Sequence, residues 1–365
     1  MTFSAADHAA MARALQLAAN GLTTTSPNPR VGCVLVQDGR TVGEGWHARA
    51  GEPHAEIHAL RQAGEIARGA TAYVTLEPCS HYGRTPPCAD ALIEAGVARV
   101  VIAMEDPNPL VAGRGLARLR AAGIVTEHGL LAAEAHELNI GFVSRMSRGR
   151  PWVRLKAAAT LDGKTALSNG VSQWITGPAA RADGHRWRAR ACAILTGIGT
   201  VREDDPQLTV RAIPCSRQPL RVLVDATLAV SPEASILQGE PILVATASTD
   251  ALRTSTLRER GHEVLVLPNS AGKVDLPGLM TALGTLGLNE VHVEAGFKLN
   301  GSLMREGCVD ELLLYLAPML VGDAAQGLFN LPDLASLQGA TRLEIRDLRT
   351  IGPDLRLIAR LRAAG

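Results

Sequence analysis

The chain has 365 residues, and at about 150 residues per domain this length predicts two domains. Hydrophobic residues make up 46% and charged residues 20%, so the chain can bury a core and is not disordered. The net charge is only +1, and the aromatic residues are four Phe, four Trp and three Tyr. This composition argues against a polynucleotide partner, which is usually held by clustered positive charge and by rings that stack on bases.

The six cysteines are scattered over the whole length, which is typical of free thiols in a reducing compartment rather than of a disulfide scaffold. The first 21 residues include Asp7, His8 and Arg13 and lack the apolar core of a signal peptide. No uncharged apolar run approaches the roughly 18 residues that span a bilayer. We therefore expect a cytoplasmic protein with no membrane contact.

The first half alternates helix and strand signals. Ser4 and Asp7 form a capping-box pattern before a helix that ends at Asn20 and Gly21. The further elements predicted there are a strand at 31–37, a hairpin turn at 38–39, a strand at 41–47, a helix from Pro53 to about 67, a strand at 71–76, a helix at 89–95, a strand at 98–104, a helix at 114–122 and a strand at 124–126. This alternation predicts helices packed on the faces of a sheet.

A polar segment at 145–151, rich in Arg and containing Gly149 and Pro151, interrupts the alternation. Such composition is typical of a linker, so we predict a first domain at 1–147 and a second at 148–365. Strands are predicted in the second half at 152–159, 193–195, 220–224, 241–245, 264–267 and 290–293, with helical stretches between most of them. The sequence therefore predicts two α/β domains.

The strongest chemical signal is the set His54, Glu56, Cys79 and Cys88. One imidazole and two thiolates fill three positions of a tetrahedral zinc ion and leave the fourth open for water, whose pKa falls to about 7. Glu56 lies two residues after His54, near the start of the same predicted helix. It can take the proton of that water and pass it to a leaving amine. The pattern of H-x-E followed by P-C is that of the zinc deaminases that act on bases.

The spacing of the two cysteines departs from that pattern, because the segment 80–87 separates them where P-C-x-x-C has two residues. This is tolerable if the segment folds back and Cys88 begins the next helix. The alternative is a structural zinc site with four protein ligands, for which His58 or His81 could supply the fourth. Glu56 favours catalysis, since a structural site needs no proton shuttle.

Two glycine loops in the second half follow predicted strands, at 197–200 and at 293–302. Glycines in such positions let backbone amides approach a phosphate. Arg202 replaces the third glycine of G-x-G-x-x-G, so the first loop is not a Rossmann fingerprint, and a tight turn is its simpler explanation. Arg188 and Arg211 flank these loops and could pair with phosphate, although a solvated surface arginine is the alternative.

Ten segments together are similar to one known family, the bifunctional RibD family of riboflavin biosynthesis. Those in the first half resemble its deaminase half: 26–32 (SPNPRVG), 45–47 (GWH), 54–56 (HAE), 77–79 (EPC) with Cys88, 105–109 (EDPNP) and 111–115 (VAGRG). Those in the second half resemble its reductase half: 156–164 (KAAATLDGK), 172–177 (SQWITG), 199–201 (GTV) and 204–211 (DDPQLTVR).

The resemblance implies a cytidine-deaminase-like three-layer α/β/α domain followed by a dihydrofolate-reductase-like α/β domain. It implies one zinc ion per chain and NADPH as cofactors. The implied reactions are hydrolytic deamination of 2,5-diamino-6-ribosylamino-4(3H)-pyrimidinone 5′-phosphate and NADPH-dependent reduction of its ribosyl group to ribityl. The product would be 5-amino-6-ribitylamino-uracil 5′-phosphate.

The resemblance also implies roles for individual residues. The deaminase substrate would be bound by Asn28, His47, His81 and Arg84. The reductase substrate would be bound by Lys156, Ser172, Arg188, Leu208, Arg211 and Glu294, of which Lys156 and Glu294 are both candidates for the proton donor. NADPH would contact Ala158, Trp174, Thr200, Asp204, Gly296, Phe297, Lys298, Leu299, Asn300, Gly301 and Ser302. Arg84 and Leu110 depart from the Lys and the longer polar residue that are more common in the family.

Two other function classes compete with this interpretation. A nucleic-acid-editing deaminase is disfavoured by the near-neutral charge and the few aromatic rings. A non-catalytic zinc-stabilised binding module is disfavoured by Glu56. For assembly we expect a homo-oligomer, with a dimer through the second domain favoured.

Overall fold

The structure is a computed structural model that describes residues 3–80, 86–109 and 111–362. The chain divides into two compact units, Met1–Gly149 and Arg150–Gly365, which are described separately. No helix among the described residues combines the length and the apolar character needed to cross a bilayer. The six cysteines, all in the described ranges, are free thiols.

Among its described residues, the first unit contains a five-stranded sheet and six α-helices. The strands are β1 (Gly32–Gln37), β2 (Arg40–Trp46), β3 (Thr71–Val74), β4 (Arg99–Ile102) and β5 (Val125–His128). The helices are α1 (Ala5–Ala19), α2 (Ala55–Ala63), α3 (Cys88–Glu94), α4 (Arg114–Ala121), α5 (Ala132–Leu138) and α6 (Ile140–Arg148). The strand order is β2-β1-β3-β4-β5, with β1 antiparallel to both neighbours and the other pairs parallel.

Alternating side chains of the strands face helices on both sides of this sheet, which gives three layers. On β1, Cys33 and Leu35 pack with the buried residues of α2, α3 and α4, whereas Val34 packs with α1 and α5. Ser4 caps α1 as predicted, because its hydroxyl accepts from the backbone of Asp7 and the Asp7 carboxylate accepts from the backbone of Ser4.

A glycine of β2 allows the helix that carries the metal motif to approach the sheet. A Cβ atom on Gly45 would lie 2.3 Å from the carbonyl oxygen of Ala55, the first residue of α2. Any side chain at this position would push α2 away from β2. The close packing fixes the N-terminus of α2, and with it His54 and Glu56.

The second unit is built on a nine-stranded sheet. The nine strands of this sheet are β6 (Trp152–Thr160), β8 (Ala193–Gly197), β9 (Leu220–Val224), β10 (Leu243–Thr246), β11 (Glu263–Val266), β12 (Glu290–Glu294), β13 (Glu311–Ala317), β15 (Leu343–Ile351) and β16 (Asp354–Leu361). Two short strands, β7 (Lys164–Ala166) and β14 (Gln326–Gly327), form a separate ladder. The helices are α7 (Pro178–Arg190), α8 (Ile198–Asp204), α9 (Ala251–Glu259), α10 (Leu276–Thr285) and α11 (Phe297–Arg305).

The sheet order is β11-β10-β9-β8-β12-β6-β13-β16-β15. The strands from β11 to β13 are parallel, and β16 and β15 extend the sheet as an antiparallel pair. The carboxyl ends of β6, β8 and β12 lie side by side at one edge of the sheet. Ligands of open α/β sheets bind at such edges.

The structure differs from the sequence prediction at the linker and in the C-terminal strands, and it adds α5, β7 and β14, which were not predicted. The segment 145–151, predicted as a linker, is helical up to Arg148, and α6 ends at Gly149 with a left-handed φ of +69°. The C-terminal strands β13, β15 and β16 were not predicted. Arg356 and Arg360 lie on β16 with partly covered side chains, so polar residues obscure the pattern of this strand in the sequence.

Candidate functional site

The first unit brings the three predicted zinc ligands together. His54 Nδ1 lies 3.2 Å from Cys88 Sγ and 3.7 Å from Cys79 Sγ, and the three ligand atoms all lie within 4.8 Å of one another. His58, the rival fourth ligand, is not part of this group, and its Nε2 is buried without a hydrogen-bond partner. Within the described ranges the cluster therefore offers three ligands.

The helix ends place these ligands. His54 is the residue before α2 and has an extended backbone, so its side chain lies at the N-terminus of that helix. Cys88 begins α3, as predicted, and its backbone N–H donates to Cys79 Sγ at 3.3 Å. The hydrogen bond from the Cys88 thiol lowers the pKa of Cys79, and the pKa of Cys88 rises in return. A metal ion would bind both sulfur atoms as thiolates.

Glu56 lies in the first turn of α2 and is only 3% exposed. Burial raises its pKa to about 7. Its Oε2 atom is buried and has no hydrogen-bond partner, although such atoms are normally paired. An imidazole, two thiols and an unpaired carboxylate oxygen beside them suit a zinc ion that keeps a position open for water.

Glu77 supports the metal site through hydrogen bonds to the backbone, a role that the sequence did not indicate. Its side chain is 4% exposed and accepts four backbone N–H groups. Oε2 accepts from Asp106 at 3.2 Å and Gly113 at 2.9 Å, and Oε1 accepts from Gly115 at 2.8 Å and Leu116 at 3.1 Å. Glu77 thus joins the chain just before Cys79 to the segment that begins α4.

Two of the residues predicted to bind the deaminase substrate lie together. Asn28 Nδ2 is 3.1 Å from His47 Nε2, and the His47 ring meets the His54 ring edge-to-face with centroids 5.1 Å apart. Burial lowers the pKa of His47. The predictions for His81, Arg84 and Leu110 fall outside the described residues.

The second unit contains a cleft of about 900 Å³ at the carboxyl edge of its sheet. It is lined by 13 of the predicted residues: Lys156, Ala158, Ser172, Trp174, Arg188, Thr200, Asp204, Leu208, Arg211, Glu294, Gly296, Phe297 and Asn300. Lys298, Leu299, Gly301 and Ser302, also predicted to contact NADPH, are not among the lining residues. In this structure Leu299 packs against Gly197, and Gly301 packs against the backbone of Asn330.

A charged cluster around Glu294 lies in this cleft. Arg188 donates from Nε and Nη2 to the two carboxylate oxygens, and Lys156 Nζ lies 3.8 Å from Oε2. His292, fully buried on the same strand, lies 3.4 Å from Oε1. Burial raises the pKa of Glu294, but the charges of Arg188 and Lys156 overcome it and hold the pKa well below its ordinary value.

Asn300 and Trp174 also stand out in this cleft. Asn300 is 1% exposed, and its Oδ1 has no hydrogen-bond partner. Trp174 is 68% exposed and is covered on one face by the Arg181 guanidinium, 4.5 Å from the ring centroid. An exposed indole at the edge of a cleft is a surface on which a flat ligand ring can stack.

His185 and Tyr315 line the cleft but were not predicted. His185 Nδ1 accepts from the backbone N–H of Arg211 at 3.4 Å, and Tyr315 donates to the buried carboxylate of Asp183 at 2.7 Å. His185 is one helical turn before Arg188 on α7, so the helical period could have identified it. Tyr315 lies on β13, which was itself missed.

Two family models match the chain. The RibD C-terminal domain matches residues 151–357, and the cytidine and deoxycytidylate deaminase zinc-binding region matches residues 4–104. The riboflavin biosynthesis protein RibD of Escherichia coli K12 is 52% identical, with 94% of this chain and 96% of that protein covered. The RibD protein of Haemophilus influenzae is 47% identical, with 98% of each covered.

Solved structures agree with these sequence matches. Acinetobacter baumannii RibD (form 1) superposes with a TM-score of 0.90 at 43% identity and covers 98% of this chain and 99% of that one. A Thermotoga maritima diaminohydroxyphosphoribosylaminopyrimidine deaminase/5-amino-6-(5-phosphoribosylamino)uracil reductase superposes with a TM-score of 0.86 at 32% identity, covering 98% and 99%. The predicted fold classes, a cytidine-deaminase-like domain and a dihydrofolate-reductase-like domain, are confirmed.

Proposed function

The chain belongs to the RibD family, and from this premise we propose that its two units act in turn on one pyrimidine ribotide. The protein is a bifunctional deaminase and reductase of riboflavin biosynthesis that uses zinc and NADPH. The deaminase substrate is 2,5-diamino-6-ribosylamino-4(3H)-pyrimidinone 5′-phosphate. Reduction of its ribosyl group then gives 5-amino-6-ribitylamino-uracil 5′-phosphate. We place the domains at 1–147 and 148–365.

In the deaminase unit His54, Cys79 and Cys88 hold one zinc ion, which supplies an ionised water at neutral pH when bound. Glu56 accepts the water proton and donates a proton to the departing amine. The observation that carries this role is the buried Oε2 atom of Glu56, which has no partner beside three metal-ligand side chains. A carboxylate oxygen without a fixed partner is free to exchange a proton with water and substrate.

The deaminase substrate is bound by Asn28, His47, His81 and Arg84. Asn28 and His47 adjoin the metal ligands, which supports contact with the pyrimidine. Arg84 would pair with the ribotide phosphate. These assignments rest on the family motifs as they stand in this sequence.

In the reductase unit NADPH supplies the hydride when bound. When the ribosyl ring opens, its ring oxygen must gain a proton. Arg188 and Lys156 hold Glu294 ionised, so the carboxylate has no proton to give. Lys156 carries transferable protons on Nζ and is held by Glu294 at 3.8 Å, so we assign it as the proton donor.

The remaining cleft residues divide between the two ligands of the reductase. Ser172, Arg188, Leu208, Arg211 and Glu294 bind the ribotide. Ala158, Trp174, Thr200, Asp204, Gly296, Phe297, Lys298, Leu299, Asn300, Gly301 and Ser302 bind NADPH. The two glycine loops at the ends of β8 and β12 support the second set, because Gly197 and Gly296 precede α8 and α11, and the first backbone N–H groups of a helix can bind a phosphate.

We also propose that the protein is a cytoplasmic homo-oligomer, with a dimer through the second unit favoured. Exposed apolar side chains support this assembly. Leu337 is 83% exposed, and Ile345 and Leu348 on β15 are 62% and 58% exposed. The six free thiols support a reducing location.

A single experiment tests the function. The purified zinc-loaded protein is given the diamino-pyrimidinone ribotide with NADPH, and ammonia release and NADPH absorbance are followed together. We expect ammonia to be released without NADPH, and NADPH to be consumed only after deamination. NADPH consumption with no ammonia release would contradict the proposed order of the two reactions.

A further inference from the structure

A chain of hydrogen bonds links Asn28, the predicted pyrimidine-binding residue, to the segment that precedes the metal ligand His54. His47 Nδ1 lies 3.2 Å from the carbonyl oxygen of Pro53, the residue before His54. On the other side of the ring, His47 Nε2 lies 3.1 Å from Asn28 Nδ2. The His47 side chain is enclosed, with only 2% of the residue exposed, so water does not compete for either nitrogen.

The chemistry of these groups fixes the direction of each hydrogen bond. A carbonyl oxygen only accepts, so Nδ1 of His47 carries the ring proton and donates to Pro53. A neutral imidazole with a proton on Nδ1 has a lone pair on Nε2, which only accepts. Asn28 must therefore turn its N–H group toward His47, and its Oδ1 is left for another partner.

No residue in the described part of the chain donates to Asn28 Oδ1. The backbone N–H of Asn28 is already used in a turn, donating to the carbonyl oxygen of Thr25 at 2.9 Å. Because Asn28 is half-buried beside the metal ligands, its free oxygen is available to a molecule in the site.

We infer that His47 is a positioning residue, which fixes the Asn28 amide so that Asn28 presents a hydrogen-bond acceptor to the substrate ring. This inference rests on the proposed deaminase function and specifies its selectivity. Asn28 Oδ1 can accept a hydrogen bond but cannot donate one, and the donor that a pyrimidine ring offers at its edge is an N–H group. The site therefore selects a pyrimidine in which a ring N–H neighbours the carbon that bears the leaving amine.

The 4(3H)-pyrimidinone has such an edge, because N3–H lies next to C2 and its amino group. A cytosine ring does not, because the ring nitrogen beside its amino-bearing carbon carries a lone pair that would face the lone pairs of Asn28 Oδ1. An unmatched polar pair of this kind discriminates far more strongly than a missing apolar contact. The orientation of one amide thus separates the two classes of aminopyrimidine.

The test is a double-mutant cycle on the full-length zinc-loaded protein, with ammonia release from the ribotide as the assay. The variants are Asn28→Ala, His47→Leu and their combination, together with His47→Gln, which keeps an acceptor for Asn28. His136→Leu is the matched control, because it makes the same change at an exposed position on α5. Zinc content and reductase activity of each preparation report whether the protein is folded.

We expect Asn28→Ala and His47→Leu each to lower kcat/KM for deamination about 10-fold or more, which corresponds to roughly 1.4 kcal/mol or more. The double variant should have a kcat/KM no lower than that of the more impaired single variant. His47→Gln should recover most of the activity that His47→Leu loses. Zinc content and reductase activity should stay at the wild-type level.

Multiplicative losses in the double variant would overturn the inference, because they would mean that the contribution of His47 does not pass through Asn28. Wild-type kcat/KM in His47→Leu would also overturn it. Failure of the proposed function is a separate result, since the wild-type protein would then release no ammonia from the ribotide.

Discussion

The Gly115→Ala substitution tests how the zinc ligand Cys79 is held in place. A Cβ atom on Gly115 would lie 2.1 Å from the carbonyl oxygen of Pro78 and 3.2 Å from Cγ and Oε1 of Glu77. The first of these contacts is with backbone one residue before Cys79. The methyl group therefore cannot be accommodated by a side-chain rotation, and the chain at Pro78 or the start of α4 must shift.

Two effects determine how much stability the Gly115→Ala substitution costs. Overpacking a buried position costs about 1–3 kcal/mol. The shift also weakens the 2.8 Å and 3.1 Å bonds from Gly115 and Leu116 to the Glu77 carboxylate, and bonds to a charged group contribute about 1.5–3 kcal/mol each. If half of one such bond is lost as well, the first unit is destabilised by about 2–4 kcal/mol.

Gly115→Ala should weaken zinc retention more than the loss of about 2–4 kcal/mol of stability alone would suggest. Metal–ligand distances are held to about 0.2 Å, and relief of a 2.1 Å contact needs a shift of about 1 Å. We expect faster loss of zinc to a chelator and deamination at least about 100-fold slower, since a misplacement of 1 Å can cost that much. Glu77→Gln should act in the same direction, because its NH2 group cannot accept the backbone N–H groups.

The assay compares chelator-driven zinc release, denaturant unfolding and ammonia release in Gly115→Ala, Glu77→Gln and Ala117→Ser. The last is an exposed position on the same helix and serves as the control. Reductase activity of each variant should be unchanged. If Gly115→Ala keeps wild-type zinc retention and ammonia release, the contact between α4 and Pro78 does not position Cys79.

Three further predictions address the same unit. Glu56→Gln should keep zinc and lose ammonia release; wild-type turnover would remove Glu56 from the mechanism. Cys88→Ser should lower bound zinc from about one per chain to near zero, measured by metal analysis, and full retention would mean that the ligand set is wrong. Burial raises the pKa of Asp7, but its bonds with Arg99 and Tyr73 outweigh that and hold the pKa below the ordinary 3.8. Asp7 therefore stabilises the fold above pH 3.8 and loses this contribution as the pH falls below it. Asp7→Asn should make the free energy of unfolding fall less steeply as the pH drops below 3.8. The same pH dependence in Asp7→Asn and the wild-type protein would contradict this assignment.

The elements that the sequence predicted well are those whose local signals agree with their packing. The capping box at Ser4, the hairpin turn between β1 and β2, and the start of α3 at Cys88 are each set by neighbouring residues. Strand β6 shows the limit of such signals. Arg154 is fully buried there between Glu290 and Glu311, an ion pairing across three strands that no local pattern reveals.

The metal motif was identifiable in the sequence because zinc chemistry restricts both the residue types and their spacing. The supporting residues were not, because their role depends on backbone groups far away in the chain. Glu77 binds N–H groups up to 39 positions later, and His185 meets the backbone of Arg211. Backbone donors have no sequence signature, so residues that act through them become visible only in the fold.

Glu56 and Glu294 show why a residue type does not define a catalytic role. Both are buried, but burial is the largest influence at Glu56 and raises its pKa to about 7, whereas Arg188 and Lys156 overcome the effect of burial at Glu294. Glu56 can therefore carry a proton near neutral pH, and a bound zinc ion would favour its charged, proton-accepting form. Glu294 stays a fixed negative charge that orients the Lys156 ammonium. The side-chain cations within reach of each carboxylate therefore decide which of the two tasks it performs.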